Sequence, residues 1–397
     1  MPFTNRFDAL PLYLLATIPQ KKRDLIARGV DVIDLGAGDA DLAAPPAAIA
    51  ALKAAVDDPG MSRYGFGLGL PAFRDSVASW MQKRFGHRFD PLKEIVPLIG
   101  SKEGIAHLCF AYLQKGDVAI IPDPGYLAYL GGTLLGEAEP YLYPITPRTN
   151  FLVDLDEIPE DVLRRTKLLF LNYPNNPTAA IAPVEYLEKV VRICKERGII
   201  LVYDNAYSEM TFDGYVAPSI FEIEGARDVA VEYFSLSKSF QMTGWRLGFV
   251  VGRSELITAL TKVKSDVDTG PFLALQAAGA WTLDHAEELV KPIVAELQVR
   301  RDAAVAALRE QGFEVEVPIA AMYVWIPLPA GIASADFSTR ALEEEGVVTM
   351  AGSGFGPGGE GFFRIALTQP AERIREAVLR LGRTLAACRD AVAVAQG

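Results

Sequence analysis

The sequence predicts an α/β protein in which a large domain carries a mostly parallel, doubly wound sheet and a smaller α+β domain lies beside it. The chain has 397 residues, more than a single domain usually holds. Its middle alternates short apolar runs with segments of helical spacing, a pattern typical of parallel strands joined by right-handed crossovers. Runs such as KLLFLN and IILVYD are continuously apolar, which indicates strands that are buried on both faces.

Six apolar runs are predicted to form the strands of the large sheet, and Val184–Arg197 between two of them has helical spacing. The predicted strands are Glu94–Ile99, Val118–Ile121, Lys167–Asn172, Ile199–Asp204, Val229–Ser235 and Leu247–Val251. In such sheets, ligands bind beyond the carboxyl ends of the strands. We therefore expect the functional residues in the loops that follow these runs.

The pattern changes beyond Arg253. Long helical segments are predicted at Ser254–Val267 and Ala286–Gln311, then strands at Val315–Pro327 and Phe362–Leu367, with helices at Ser334–Gly346 and Ala371–Asp390. We assign residues 44–285 to the large domain. Residues 1–43 and 286–397 are assigned to the smaller one, so that both ends of the chain contribute to it.

Composition excludes several classes of function. The net charge of −11 argues against a nucleic-acid-binding protein and gives no attraction to an anionic membrane. The cysteines have no CxxC spacing and the histidines no metal-ligand spacing, so neither a disulfide framework nor a metal site is predicted. The N-terminal apolar run is short and interrupted by prolines, and no run approaches the roughly 20 apolar residues that span a membrane. We expect a cytoplasmic protein.

The segment GSKEG, Gly100 to Gly104, follows a predicted strand and begins a predicted helix. The N–H groups at a helix start, together with the Ser101 hydroxyl and the Lys102 ammonium, suit a phosphate. A helix capped by Ser101 that binds no ligand is the structural alternative. Taken alone, this segment does not decide between the two.

Two further loops carry polar groups at strand ends. NYPNNPT, Asn172 to Thr178, has the composition of a simple Asn-Pro turn, or it could hold an amide over the sheet edge. Asp204 ends the apolar run LVYD, and Tyr207 follows three residues later. A carboxylate there is costly unless it caps a helix or meets a cation. A protonated ring nitrogen would satisfy it, at roughly 4 kcal/mol for charges ~4 Å apart at an effective dielectric of about 20.

The segment SLSKSFQMTGWRLGF is the most informative of the chain. Lys238 lies between serines at the end of a predicted strand, although lysine is rarely buried without a partner. Arg246 precedes the next strand, and its guanidinium together with the serine hydroxyls would match a phosphate. Arg364, within the apolar run FFRIALT, is either a structural residue (ion-paired in the core, or an edge residue whose charged end reaches solvent) or a bidentate site for a substrate carboxylate.

At these residues the chain resembles the fold-type-I, class I/II aminotransferases that use pyridoxal 5'-phosphate (PLP), over nearly its whole length. The resemblance makes the large domain a PLP-binding domain, with Lys238 as the Schiff-base lysine that also shuttles the substrate proton. Asp204 matches the partner of the pyridine nitrogen, Asn176 and Tyr207 those of the phenolic oxygen, and Tyr126 the ring that stacks on PLP. The phosphate-binding set is Ser101, Lys102, Ser235, Ser237 and Arg246. Arg364 matches the carboxylate-binding residue, with the Gly38 backbone beside it.

Among these enzymes the chain is most similar to the LL-diaminopimelate aminotransferase group, on phrases such as GVDVIDLGAGDADL, VDTGPF and GFGPGGEGFFRIALT. This implies amino-group transfer between an L-amino acid, possibly LL-diaminopimelate, and 2-oxoglutarate. Tyr64, in RYGFG, matches a tyrosine that reaches the phosphate of the neighbouring subunit's cofactor, which implies a homodimer. An aspartate, alanine or aromatic aminotransferase is an alternative, as is a PLP-dependent β-lyase or racemase. A PLP-binding regulator without turnover is less favoured, because the sequence has no basic helix-turn-helix segment.

Overall fold

The computed structural model describes residues 3–11, 18–66 and 68–396, except for the side chains of residues 395 and 396. Twelve strands are formed by these residues. They are β1 Ile33–Asp34, β2 Ile95–Leu98, β3 Val118–Asp123, β4 Glu139–Pro144, β5 Thr166–Leu171, β6 Ile200–Asp204, β7 Ala230–Ser235, β8 Gly248–Gly252, β9 Tyr323–Pro327, β10 Val347–Val348, β11 Met350–Ala351 and β12 Phe362–Ala366.

The same residues form fifteen α-helices, none of which has both the length and the apolar composition to cross a membrane. They are α1 Asn5–Asp8, α2 Ile18–Ala27, α3 Pro46–Val56, α4 Pro71–Phe85, α5 Ser101–Tyr112, α6 Leu127–Leu135, α7 Glu160–Arg165, α8 Val184–Arg197, α9 Ala226–Val229, α10 Leu236–Ser239, α11 Ser254–Val267, α12 Leu273–Asp284, α13 Ala286–Glu310, α14 Ser334–Glu345 and α15 Ala371–Gln396.

Seven strands form the large sheet, in the order β2-β8-β7-β6-β5-β3-β4. Neighbouring strands are parallel except for β8, which runs antiparallel to both β2 and β7. The prediction of a mostly parallel sheet is confirmed, and each of the six predicted strands is present within two residues of its predicted bounds. The seventh, β4, was not predicted. It is a half-exposed edge strand of sequence EPYLYP, so it lacks a continuous apolar run.

The side chains of the parallel strands alternate between two apolar cores, one on each face of the sheet. Leu169 and Leu171 of β5 belong to the core that also contains Trp80 of α4. Leu168 and Phe170 of the same strand belong to the opposite core, packed against α5 and α11. Burial on both faces explains why these strands are continuously apolar in the sequence.

The smaller sheet elements combine both ends of the described chain. β1 pairs in parallel with β10, while β11, β12 and β9 form an antiparallel sheet. Leu35, just after β1, shares a core with residues of α13, α14 and α15. These contacts bring both ends of the described chain together, while the smaller domain and its boundaries after residues 43 and 285 stay predictions.

Two of the elements beyond Arg253 that differ from the prediction have a clear physical reason. Val315–Pro327 was predicted as one strand, but the strand begins at Tyr323. Pro318 interrupts the earlier part, because proline lacks the N–H that a sheet requires. Helix α12, Leu273–Asp284, was not predicted, since its apolar residues cover all sides of the helix and show no clear period.

The sheet brings five loops to one edge. The carboxyl ends of β2, β3, β5, β6 and β7 all face this edge, because these strands are parallel to one another. Since β8 runs the opposite way, the loop after β7 also leads into β8, which begins two residues after Arg246. The predicted functional loops therefore converge.

Candidate active site

A cavity of about 340 Å³ lies at this edge. It is lined by twelve of the thirteen residues predicted for the site, namely Gly38, Ser101, Lys102, Tyr126, Asn176, Asp204, Tyr207, Ser235, Ser237, Lys238, Arg246 and Arg364. The thirteenth, Tyr64, lies outside this cavity and is 72% exposed. Predicted site residues from the N-terminal, middle and C-terminal parts of the chain thus meet in one cavity, and Tyr64 alone among them lies outside it.

Asp204 is the one acidic residue that lines the cavity within the described part of the chain. It is buried at the end of β6, and its Oδ2 accepts a hydrogen bond of 2.8 Å from the Tyr129 hydroxyl. Its Oδ1 is also buried and has no hydrogen-bond partner among the described residues. Burial raises the pKa of Asp204 to about 6, against the lowering effects of Tyr129 and the Ala206 N–H. The carboxylate therefore fits a cationic donor that enters from the cavity.

The Asn172–Thr178 loop is a turn, and its amides also connect the site. Asn172 donates from Nδ2 to the Asp204 carbonyl at 2.7 Å and accepts at Oδ1 from the Asn176 N–H at 2.7 Å. Asn176 in turn accepts at Oδ1 from Nη1 of Arg364, again at 2.7 Å. This chain of hydrogen bonds fixes Asn176 between the sheet edge and Arg364.

Hydroxyls and cations surround the start of α5. Gly100, with a φ of +71°, occupies the N-cap position, so Ser101 does not cap the helix as the structural alternative required. A Cβ atom on Gly100 would clash with the Arg246 guanidinium, which shows how closely that group approaches the loop. Arg246 donates to the Thr243 carbonyl at 3.0 Å and to the Ser237 hydroxyl at 3.4 Å.

Lys102 adds a second cation here, and burial together with Arg246 lowers its pKa. Ser235 caps the short helix α10 by accepting from the Ser237 N–H. A helix N-terminus with two cations and several hydroxyls suits the phosphate of PLP.

Lys238 lies in α10, immediately after β7, and is half-buried. Its Nζ donates to the Gly38 carbonyl, which belongs to the N-terminal part of the chain. Tyr126 also lines the cavity from the N-cap position of α6, with its ring packed edge-on against Tyr129. The hydrogen bond to Gly38 thus orients the Lys238 amine in the cavity. That hydrogen bond would be lost when the amine attaches to an aldehyde.

Arg364 is buried in β12, with an exposure of 5%. Nη2 donates to the Gly36 carbonyl at 2.7 Å, and the guanidinium carbon lies 4.1 Å from the centre of the Tyr323 ring and 4.7 Å from that of Phe355. Aromatic rings and neutral acceptors hold this planar cation in place. Such a guanidinium suits a substrate carboxylate.

Several residues of the site were not found from the sequence. Asn172, Thr243, Tyr323, Met350 and Phe355 also line the cavity, and Tyr129 holds Asp204 from behind it. Asn172 directly follows the apolar run of β5, so its position at the strand end could have indicated a role in the site. Tyr129 and Tyr323 lie in apolar segments where tyrosine is an ordinary core residue.

A further ionic cluster lies beneath the start of α5. The fully buried Lys264 contacts Glu103 and lies 3.0 Å from Asp268, with His107 beside them. Burial raises the pKa of Glu103 to about 8. The Lys264 side chain lies between Glu103 and Asp268, so we interpret the cluster as a buried polar network that joins the start of α5 to the end of α11.

The chain matches known proteins over nearly its full length. Residues 30–381 match the family model described as aminotransferase class I and II. The LL-diaminopimelate aminotransferase of Moorella thermoacetica is 46% identical over 97% of this chain and 99% of that protein. LL-diaminopimelate aminotransferase 2 of Trichormus variabilis is 43% identical over 96% of this chain and 98% of that protein.

Solved structures agree with this assignment. Substrate-bound BacF from Bacillus subtilis superimposes with a TM-score of 0.92 at 33% identity, over 97% of this chain and 98% of that one. A probable N-succinyldiaminopimelate aminotransferase from Thermus thermophilus gives 0.88 at 36% identity, over 94% and 100%. With a cavity whose acid, amine and cationic groups fit PLP, the chain belongs to the class I and II aminotransferases and is a PLP-dependent enzyme of that family.

Proposed function

We propose that this enzyme transfers the amino group of LL-diaminopimelate to 2-oxoglutarate, with Lys238 as the residue that attaches PLP. One observation carries the chemistry: an amine, a buried carboxylate with one oxygen that no described residue hydrogen-bonds, and a buried guanidinium share one cavity. The substrate rests on the relatives named LL-diaminopimelate aminotransferase, which are 43–46% identical over almost the entire chain.

The proposed roles follow the groups that each residue presents. Asp204 would face the ring nitrogen of PLP, Asn176 and Tyr207 its phenolic oxygen, and Tyr126 the face of its ring. Arg364, with the Gly38 backbone beside it, would bind the substrate carboxylate. The phosphate would be bound by Ser101, Lys102, Ser235, Ser237 and Arg246, with Tyr64 contributed by the partner subunit.

PLP, when bound, supplies an electron sink for the pair released when a bond to the substrate α-carbon breaks. The chain supplies orientation and proton transfer. Arg364 fixes the carboxylate, and the rigid Asn176–Arg364 contact limits its rotation. Lys238 removes the α-proton and holds it at Nζ. Asp204 presents a fixed negative charge in a water-poor site, where it acts more strongly than in bulk water.

The cavity lining also favours a second class of donor. Leu127, Met350 and Phe355 make part of the lining apolar, and Asp204 is its sole carboxylate among the described residues. An aromatic or aliphatic amino acid would bury its side chain against such residues. LL-diaminopimelate requires a group for its distal ammonium, which the partner subunit would have to supply.

A panel of amino donors, each tested with 2-oxoglutarate, distinguishes these substrates. We expect kcat/KM for LL-diaminopimelate to exceed that for phenylalanine, alanine and aspartate by roughly tenfold or more, since one well-placed polar contact separates substrates by that factor. A higher kcat/KM for phenylalanine would make phenylalanine the proposed amino donor, and the proposed amino-group transfer would stand. Product release without consumption of 2-oxoglutarate would indicate a β-lyase, and binding of PLP without any turnover a regulator.

We also propose that the enzyme is a cytoplasmic homodimer. Tyr64 and Phe66 expose 72% and 79% of their surface while their rings lie 5.8 Å apart. Exposed aromatic pairs of this kind are typical of protein interfaces. Cys109, Cys194 and Cys388 are free thiols, as is usual in reducing compartments.

A further inference from the structure

Tyr323 contacts two parts of the cavity whose proposed roles are separate. It begins β9, is buried and lines the cavity. Its hydroxyl oxygen is 2.9 Å from that of Tyr207, and its ring lies against the Arg364 guanidinium. One side chain therefore touches both the residue proposed for the phenolic oxygen of PLP and the residue proposed for the substrate carboxylate.

The direction of the hydroxyl–hydroxyl bond decides where the Tyr207 proton points. Each hydroxyl has one proton, and the Tyr323 oxygen is packed on its other side against Gly38, where a Cβ atom would clash with it. If Tyr323 donates to Tyr207, the Tyr207 proton is left to enter the cavity. A hydroxyl that accepts a hydrogen bond is also a stronger donor itself.

Tyr207 is suited to this arrangement because it keeps its proton. It is buried, and burial followed by the neighbouring Tyr323 raises the pKa of Tyr207 well above its usual value. Arg364 opposes this effect. A neutral Tyr207 is a hydrogen-bond donor at all pH values at which the enzyme would work.

We propose that Tyr323 is a positioning residue that directs the Tyr207 proton to the phenolic oxygen of PLP and supports Arg364 in the plane that a carboxylate requires. The inference rests on the proposed function, since it assumes that Tyr207 and Arg364 have the roles given above. Tyr323 acts through these two residues and needs no contact of its own with PLP.

The hydroxyl is tested with the holoenzyme of Tyr323→Phe, which keeps the ring. The chromophore formed by Lys238 and PLP changes its absorbance on protonation. The proton that it gains interacts with the phenolic oxygen of PLP. A hydrogen bond donated to that oxygen weakens this interaction and so lowers the pH at which the proton is lost. We expect the pH midpoint of the absorbance change to rise by roughly 0.3–1 unit in Tyr323→Phe and by more in Tyr207→Phe.

The double variant Tyr207→Phe/Tyr323→Phe provides the control. Because Tyr323 acts through Tyr207, its midpoint should equal that of Tyr207→Phe alone. An unchanged or lowered midpoint in Tyr323→Phe, or additive shifts in the double variant, would overturn the inference. If the wild-type protein forms no titrating chromophore, the proposed function fails instead, so the two failures are distinguishable.

The ring is tested by its effect on KM. Tyr323→Phe should leave KM for 2-oxoglutarate within about twofold, while Tyr323→Leu, which removes the aromatic face under Arg364, should raise it roughly 3- to 30-fold. Equal KM values in Tyr323→Leu and the wild type would contradict the proposed support of Arg364 by the Tyr323 ring. If Tyr323→Leu fails to bind PLP, a raised KM in Tyr323→Phe would be the contradicting result.

Discussion

Asp204 is buried and its Oδ1 has no hydrogen-bond partner among the described residues, and this combination has a thermodynamic cost in the apoenzyme. Its pKa of about 6 lies above the ordinary value of 3.8. The folded state therefore holds a proton that the unfolded state has lost, and stability falls as the pH rises from 3.8 to about 6. The whole shift corresponds to an order of magnitude of roughly 3 kcal/mol.

We predict that apo Asp204→Asn gains stability relative to the wild-type apoenzyme across this pH interval, by on the order of 2–3 kcal/mol, because asparagine does not titrate. PLP affinity should fall roughly 30-fold or more, since the ring nitrogen loses its anionic partner. Chemical denaturation at several pH values and PLP titration measure the two effects. Parallel stability curves for the two proteins would contradict the argument.

Glu232 offers the matched control. It is also fully buried, its pKa is raised to about 8 by burial, and it accepts hydrogen bonds from Ser219 and Asn205 away from the cavity lining. Glu232→Gln should leave PLP affinity within about twofold, because Glu232 does not line the cavity and burial favours its uncharged form.

Lys238 gives the most direct residue-level prediction. Lys238→Ala should form no Lys238–PLP chromophore, and turnover should fall by roughly 10³-fold or more, because the attachment point and the proton carrier are lost together. Absorbance spectra and mass spectrometry after borohydride reduction measure this. Lys262→Ala, an exposed residue of α11, should behave like the wild type. A normal absorption band in Lys238→Ala would refute the assignment.

Among single residues, the sequence was informative wherever a polar residue ended an apolar strand or lay in a loop beside one. Asp204, Asn176, Lys238 and Arg246 could be found in that way, and they meet in the cavity. Tyr129 and Tyr323 could not be found, because their partners Asp204 and Tyr207 are 75 and 116 residues distant in sequence. A tyrosine within an apolar segment does not indicate which distant group its hydroxyl will meet.

Among the elements, the turn after β3 and the glycine-rich segment Gly352–Gly359 are joined directly. Both carboxylate oxygens of Asp123 accept from the Gly358 N–H at 3.0 Å, and the Gly125 N–H donates to the Phe355 carbonyl at 3.0 Å. These bonds place the Phe355 ring against Arg364. The turn that carries Tyr126 therefore also positions the part of the cavity around Phe355 and Arg364.

We predict that Asp123→Ala and Gly358→Ala raise KM for 2-oxoglutarate severalfold and increase amide hydrogen exchange in residues 352–359. A Cβ atom on Gly358 would lie 2.5 Å from the Asp123 carbonyl oxygen, so it forces the segment away. A charge-assisted hydrogen bond of this kind contributes about 1.5–3 kcal/mol. Gly354→Ala is the control, since its nearest neighbour would be 3.8 Å away. Exchange unchanged from the wild type in both variants would show that the contact does not hold the segment.

Element prediction succeeded where one rule governed a segment. Continuous apolar runs located the strands of the doubly buried sheet, and the helical period gave α8 and α11 their observed bounds. It failed for β4, whose half-exposed edge position leaves no apolar run, and for the segment before Tyr323, where Pro318 ends the pattern. For β4 the tertiary placement outweighed local composition, whereas before Tyr323 the local effect of Pro318 outweighed the apolar run.

For the whole molecule, the proposed homodimer predicts that Tyr64 serves the site of the other subunit. A hybrid of one Lys238→Ala and one Tyr64→Ala subunit would then carry one doubly altered site and one intact site. We expect this hybrid to show about half the activity of the wild-type dimer. Differently tagged subunits, purified as hybrids, allow the measurement. Activity no higher than that of Tyr64→Ala alone would place Tyr64 at its own subunit's site.

The reversal of β8 has a consequence for how this family can diversify. Ser235 pairs with Gly248, so the twelve residues between them leave and re-enter the sheet at adjacent points. The proposed attachment residue Lys238 and the proposed phosphate-binding residue Arg246 therefore lie on one contiguous segment. Recombination that exchanges this segment between homologues would transfer Lys238 and Arg246 together. The residues that bind the side chain of the amino donor could then change independently of them.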